Sequence, residues 1–124
     1  MSAVPAERNV FGEPLQPCSD TPLTGFYRDG SCNCREGAVH AICVEVTADF
    51  LAFSKSRGND LSTPQPAYNF PGLKPGDSWC LVAMRWREAF EAGMAPRVRL
   101  QATNEAALRY VEFGDLKKHA LDLS

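Results

Sequence analysis

Three times along the chain, a short apolar or alternating run is followed by a stretch with helical spacing. In residues 40–46, His40, Ile42, Val44 and Val46 alternate with Ala41, Cys43 and Glu45. The β-branched residues share one side, which predicts a strand. Thr47 stands where its hydroxyl can cap a helix over 48–57, with Asp49 in the positive first turn and Gly58 as the stop. Residues 79–84, a continuous apolar run, predict a second strand. Trp86, Ala89 and Phe90 then fall at i, i+3 and i+4, which predicts a helix over 85–92 ended by Gly93. Val98 and Leu100 alternate with Arg97, Arg99 and Gln101, so a third strand over 97–102 has one wet face. Thr103 is placed to cap a helix over 104–111, and a last short helix is expected near 115–121.

These units predict one α+β or α/β domain over residues 1–124, a two-layer sandwich of about three main strands with helices on one face. The helix between the second and third strands favours a parallel pair with a right-handed crossover. Residues 1–37 are dense in proline and glycine and read as a loop-rich lead-in to the strand–helix units of 38–121. Val10, Phe11, Leu15, Leu23, Phe26 and Tyr27 are its expected apolar anchors. Residues 58–77 hold four prolines and three glycines and form a long connection, a kind that is usually functional or disordered. Tyr68, Phe70 and Leu73 are expected to pin it down.

Composition narrows the function classes. With 44% apolar and 23% charged residues the chain is a globular protein rather than a disordered one. A formal charge of −2 leaves no broad basic field, so nucleic acid is not an expected partner. No apolar run approaches the ~20 residues that cross a bilayer, and no basic-then-apolar leader opens the chain. The expectation is a cytoplasmic protein with no membrane partner. There the five cysteines would stay reduced, and neither reductant nor chelator should unfold the protein.

The candidate chemistry sits in two polar loops. Cys32 and Cys34 are one residue apart with no second close pair, which is poor spacing for zinc, so neither a metal nor a cofactor is expected. Cys18, Cys32, Cys34 and His40 would converge if the lead-in folded back. Cys43 and Cys80, inside apolar runs, read as small hydrophobes. Cys32, in a polar turn near Arg28 and Arg35, is the candidate reactive thiol. Arg28-Asp29-Gly30 is either a plain turn or the mouth of a pocket, with Arg28 as a rigid fork for a carboxylate or phosphate. Asn59, Asp60, Ser62 and Thr63 crowd hydrogen-bonding groups after a helix end, either to turn the chain or to bind. Arg85, a cation at a helix start, pairs with Asp60 or Asp77 or contributes to an anion site.

The stretches Asn9–Gly30, Thr47–Pro66, Phe70–Leu81 and Arg85–Leu108 together resemble an uncharacterised, mainly bacterial family, domain of unknown function 2237. The resemblance spans about residues 9–121 and implies a free-standing small α/β domain, without implying an activity.

The expected function is binding. Polar loops 24–30 and 58–63 would present Arg28, Asp29, Asn59, Asp60, Ser62, Thr63 and Arg85 to a small anionic ligand or a protein partner. The alternative is an enzyme, redox or hydrolytic, with Cys32, Asp29 or Asp60 as its active group. Both place the site in a cleft between the two loops rather than at Thr47, Arg85 and Thr103, where the strands end.

Overall fold

A computed structural model describes residues 7–122. Its centre is β1, His40–Glu45, whose four middle residues are all buried. The strand is therefore covered on both faces. Ile42 and Val44 stand opposite Leu81 and Trp79 of β2, Ser78–Val82. They share the main core with Trp86 and Ala89 of helix α2, Ala83–Glu91. Cys43 and Cys80, also register partners, point by strand alternation to the opposite face. The lead-in covers that second face, which the alternation alone had suggested would be wet.

The sheet order is β2-β1-β3, with β3 formed by Arg97–Val98, and both neighbouring pairs are antiparallel. The expected parallel pair is corrected in one respect. β2 and β3 do share a direction across α2, but β1 lies between them. Helix α1, Ala48–Ser56, and the long connection after it return the chain so that β2 runs against β1. Thr47 caps α1 as expected, its hydroxyl accepting from the Phe50 amide at 3.0 Å.

The third unit departs most from the pattern. After Val98 the chain turns into a 3₁₀ segment, Leu100–Ala102, because the Asp122 carboxylate accepts the Leu100 and Gln101 amides at 2.6 and 2.9 Å. Those amides are lost to a ladder, so the strand is short. The helix expected over 104–111 is a 3₁₀ helix, Glu105–Arg109, capped by Asn104 rather than Thr103. Thr103 is buried, accepting from the Cys43 amide and donating to the Arg99 carbonyl. The last helix, α3, runs from Phe113 to Lys117.

The lead-in is held by polar and covalent ties more than by its apolar residues. Phe11, Leu23 and Phe26 are exposed. Asn9 is buried, donating to the Gln101 carbonyl and accepting two amides of its own turn. Thr24 is buried and accepts the Cys80 amide at 2.8 Å. Disulfides join Cys18 to Cys43 and Cys32 to Cys80. This overturns the expectation of unpaired cysteines: residues far apart in sequence are brought together across the sheet. In the 58–77 connection, Phe70 and Leu73 are buried as expected, whereas Tyr68 is 74% exposed. Gly72, at φ +81°, passes so close to the Ser62 carbonyl that a methyl group there would collide with it.

Candidate functional site

The two polar loops meet at the β2 edge of the sheet. Arg28 has a left-handed backbone, φ +54°, in a turn whose amide donates to the Gly25 carbonyl. Its guanidinium also donates to that carbonyl at 2.9 Å and lies 5.1 Å from the centre of the Trp79 ring. The side chain is thus fixed by its own turn and by a cation–π contact. Across the cavity Asp60 accepts the Ser62 and Thr63 amides and, at 2.6 Å, the Thr63 hydroxyl. The Thr63 hydroxyl, followed by the Ser62 amide, holds the Asp60 carboxyl below its usual range, so it is a carboxylate at neutral pH.

Arg28 and Asp60 line one cavity of about 210 Å³ with Gln65, Tyr68, Phe70 and Trp79. Phe70 and Trp79 are tilted against each other with centroids 5.2 Å apart. The aromatic wall was not among the expected site residues. Trp79 opens an apolar run that reads as core, and Tyr68 sits in a proline-rich segment that reads as loop. The signal available was the aromatic content of the 66–70 stretch.

The other expected site residues, Asp29, Asn59, Ser62, Thr63 and Arg85, do not line this cavity. Asp29 accepts the Ser31 amide and the Asn33 side-chain amide, closing its turn. The Ser62 backbone amide and the Thr63 hydroxyl donate to Asp60. The Asn59 backbone serves the end of α1, its N–H donating to the Ser54 carbonyl and its C=O accepting the Ser54 hydroxyl. Arg85 pairs with Glu88 at 3.3 Å and donates to the Arg57 carbonyl, so it joins neither Asp60 nor Asp77. Thr47 caps α1, buried Thr103 bonds the Cys43 amide and the Arg99 carbonyl, and neither lines the cavity.

The cysteines and histidines follow a different logic. Cys32 is fully buried in its bond to Cys80, which corrects the reading of it as a free reactive thiol. Cys34 is the free cysteine among the described residues. Burial first, then the Glu7 carboxylate, pushes its thiol up to about 12 against the opposing pull of Arg109. It borders a second cavity of about 540 Å³ together with Glu7, Asn104 and Arg109, but as a neutral, unreactive thiol. His40 packs against Phe26 in a tilted arrangement with centroids 5.5 Å apart. Burial and then Arg28 lower its pKa, and its buried Nδ1 has no hydrogen-bond partner among the described residues.

A family profile described as an uncharacterised protein conserved in bacteria, DUF2237, matches residues 8–120. The chain belongs to that family. The DUF2237 match takes in both loops of the cleft, the aromatic wall and all five cysteines. No curated protein matches the chain at a comparable level. For this DUF2237 member, no helix among the described residues is long and apolar enough to cross a membrane.

Proposed function

We propose that this protein is a small binding domain whose cleft takes a small anionic ligand with a flat apolar body. Arg28 receives the anionic group, and Tyr68 receives the body. One observation carries the reading: a guanidinium fixed over Trp79, an ionised carboxylate and an exposed aromatic ring line a single cavity. A fixed guanidinium loses little side-chain freedom on meeting a carboxylate or phosphate. Asp60 keeps lone pairs for a donor on the ligand and disfavours a second negative charge beside it. The cavity is smaller than most drug-sized sites, which suits a compact ligand or the terminal carboxylate of a protein partner.

An enzyme on the same residues has less support. Asp60, held as a carboxylate, is a weak base near neutrality, Asp29 closes a turn, and Cys32 is bonded to Cys80. A cytoplasmic location goes with the binding reading, and in that compartment disulfides are usually redox-responsive.

The test is NMR on the full chain with benzoate and phenyl phosphate as anionic probes and benzyl alcohol as the neutral one. Saturable shifts at the Trp79 and Tyr68 rings are expected with both anions. Arg28→Met should abolish them while leaving the far-ultraviolet circular dichroism unchanged. Shifts that match in Arg28→Met, or that benzyl alcohol reproduces, would reject the reading.

A further inference from the structure

The two disulfides lie against each other. The sulfur atoms of Cys18, Cys32 and Cys43, drawn from both bonds, are all within 4.8 Å of one another. Cys80 is bonded to Cys32, and Ala102 completes the buried cluster. Cys43 and Cys80 are register partners, so tying both to the lead-in brings the sulfur atoms of the two bonds together. Three sulfur atoms grouped this closely, with the fourth one bond away, would on reduction offer the donors of a tetrahedral thiophilic-metal site.

We propose that, once reduced, Cys18, Cys32, Cys43 and Cys80 form a tetrathiolate site for a divalent cation of the zinc class. Zinc–sulfur bonds of about 2.3 Å set tetrahedral sulfur–sulfur edges of roughly 3.8 Å. Cys18, Cys32 and Cys43 already hold their sulfur atoms within 4.8 Å of one another, and Cys80 would turn its sulfur in from beside Cys32 once the two bonds open. Hydrogen bonds also tie the backbone at each of the four cysteines. The Cys43 amide donates to Thr103, the Cys80 amide to Thr24 and the Cys18 amide to the Gly30 carbonyl, while Asn104 donates to the Cys32 carbonyl. These contacts fix the backbone positions from which the four side chains project, independently of the sulfur atoms. Cys34 is outside the set, its thiol donating to the Cys32 carbonyl at 3.6 Å.

The chemistry balances with a dithiol as reductant. Each disulfide accepts two electrons and two protons from one dithiol, which leaves as its own cyclic disulfide. The four thiols then release four protons to solvent as the cation enters. The oxidised and metal-bound states exclude each other, and Cys18, the least buried of the four, is the way in. The site is separate from the Arg28–Asp60 cleft and stands or falls independently of it.

The test uses the full chain reduced anaerobically with a phosphine, desalted, and titrated with Co²⁺ and then Zn²⁺. One Co²⁺ per chain is expected, with the intense visible bands of tetrahedral thiolate cobalt, displaced by zinc. Cys34→Ser should leave the spectrum unchanged. Cys43→Ser and Cys80→Ser should each weaken binding by roughly a hundredfold or more, beyond the loss expected from a second-layer contact. Far-ultraviolet circular dichroism reports the fold throughout. A reduced chain that unfolds and regains its fold with zinc supports the site, because metal binding and folding are then one event. A reduced chain that takes up no cobalt, folded or unfolded, or thiolate bands that persist in the Cys43→Ser, Cys80→Ser double variant, would overturn it.

Discussion

Cys43 lies directly opposite Cys80 across β1 and β2, yet the two are not bonded to each other. Each reaches instead into the lead-in, Cys43 to Cys18 and Cys80 to Cys32. The sheet's second face is covered because the lead-in is tied to both strands at the same level.

Losing either bond should be expensive. The Cys18–Cys43 and Cys32–Cys80 bonds span 25 and 48 residues. Chain entropy assigns each about 3 to 4 kcal/mol. Cys32→Ala, Cys80→Ala should therefore melt roughly 10 °C or more below the parent in a calorimetric scan without metal. An unchanged melting temperature would mean the lead-in is held by its hydrogen bonds alone.

The Asp122 carboxylate should matter although it lies near the end of the chain. It accepts the amides of fully buried Leu100 and of Gln101, which have no strand partner to replace it. Asp122→Ala is expected to cost about 1–3 kcal/mol, read from the urea midpoint at constant slope.

Cys34 should resist modification while the protein is folded. With its thiol pushed up to about 12 by burial, little thiolate exists at neutral pH. A chromogenic disulfide reagent should react slowly with native protein and rapidly after denaturation. The folded state keeps the proton that the unfolded chain releases, so this contribution to stability is intact below the ordinary value of 9.0 and lost as pH rises toward about 12. Cys34→Ala should flatten that alkaline decline.

The histidines should act at the acid end. His40 and His119 are both lowered, chiefly by burial, so each is neutral when folded over a range where the unfolded chain takes up a proton. Their contribution is present above the ordinary value of 6.5 and falls as pH drops below it. His40→Gln should shrink the loss of stability between pH 7.5 and about 5. Arg28 also lowers His40, so Arg28→Met should move the His40 proton NMR titration upward. A titration unmoved by Arg28→Met would show that the guanidinium does not act on the ring.

Local pattern was enough for β1, α1, β2 and α2, because alternation, an apolar run and a Thr cap each act within a few residues. The third strand was over-read, since its amides answer to Asp122, a partner invisible to any local window. For the cleft, the polar crowding at Arg28 and Asp60 marked both sides of the cavity. It also drew in Asp29, Ser62 and Thr63, which belong to the turns and do not line the cavity. Trp79 looked like core because it is nearly buried, and only the fold reveals that one side of its ring faces Arg28. The cysteine pairing depends on which segment covers the second face of the sheet, and that is a property of topology.

The order of the bridged residues along the chain sets how the molecule would carry a pulling force. Starting from Cys18, the shortest covalent route crosses to Cys43, runs back to Cys32 and crosses again to Cys80. Under tension from its two ends, an oxidised chain can lengthen before Cys18, between Cys32 and Cys43, and beyond Cys80. The stretch that holds α1 and one wall of the cleft is bypassed and bears no load. Opening the bonds puts that stretch back in line, so the redox state of four sulfur atoms decides whether a pull on the chain, as by an unfolding protease, reaches the cleft.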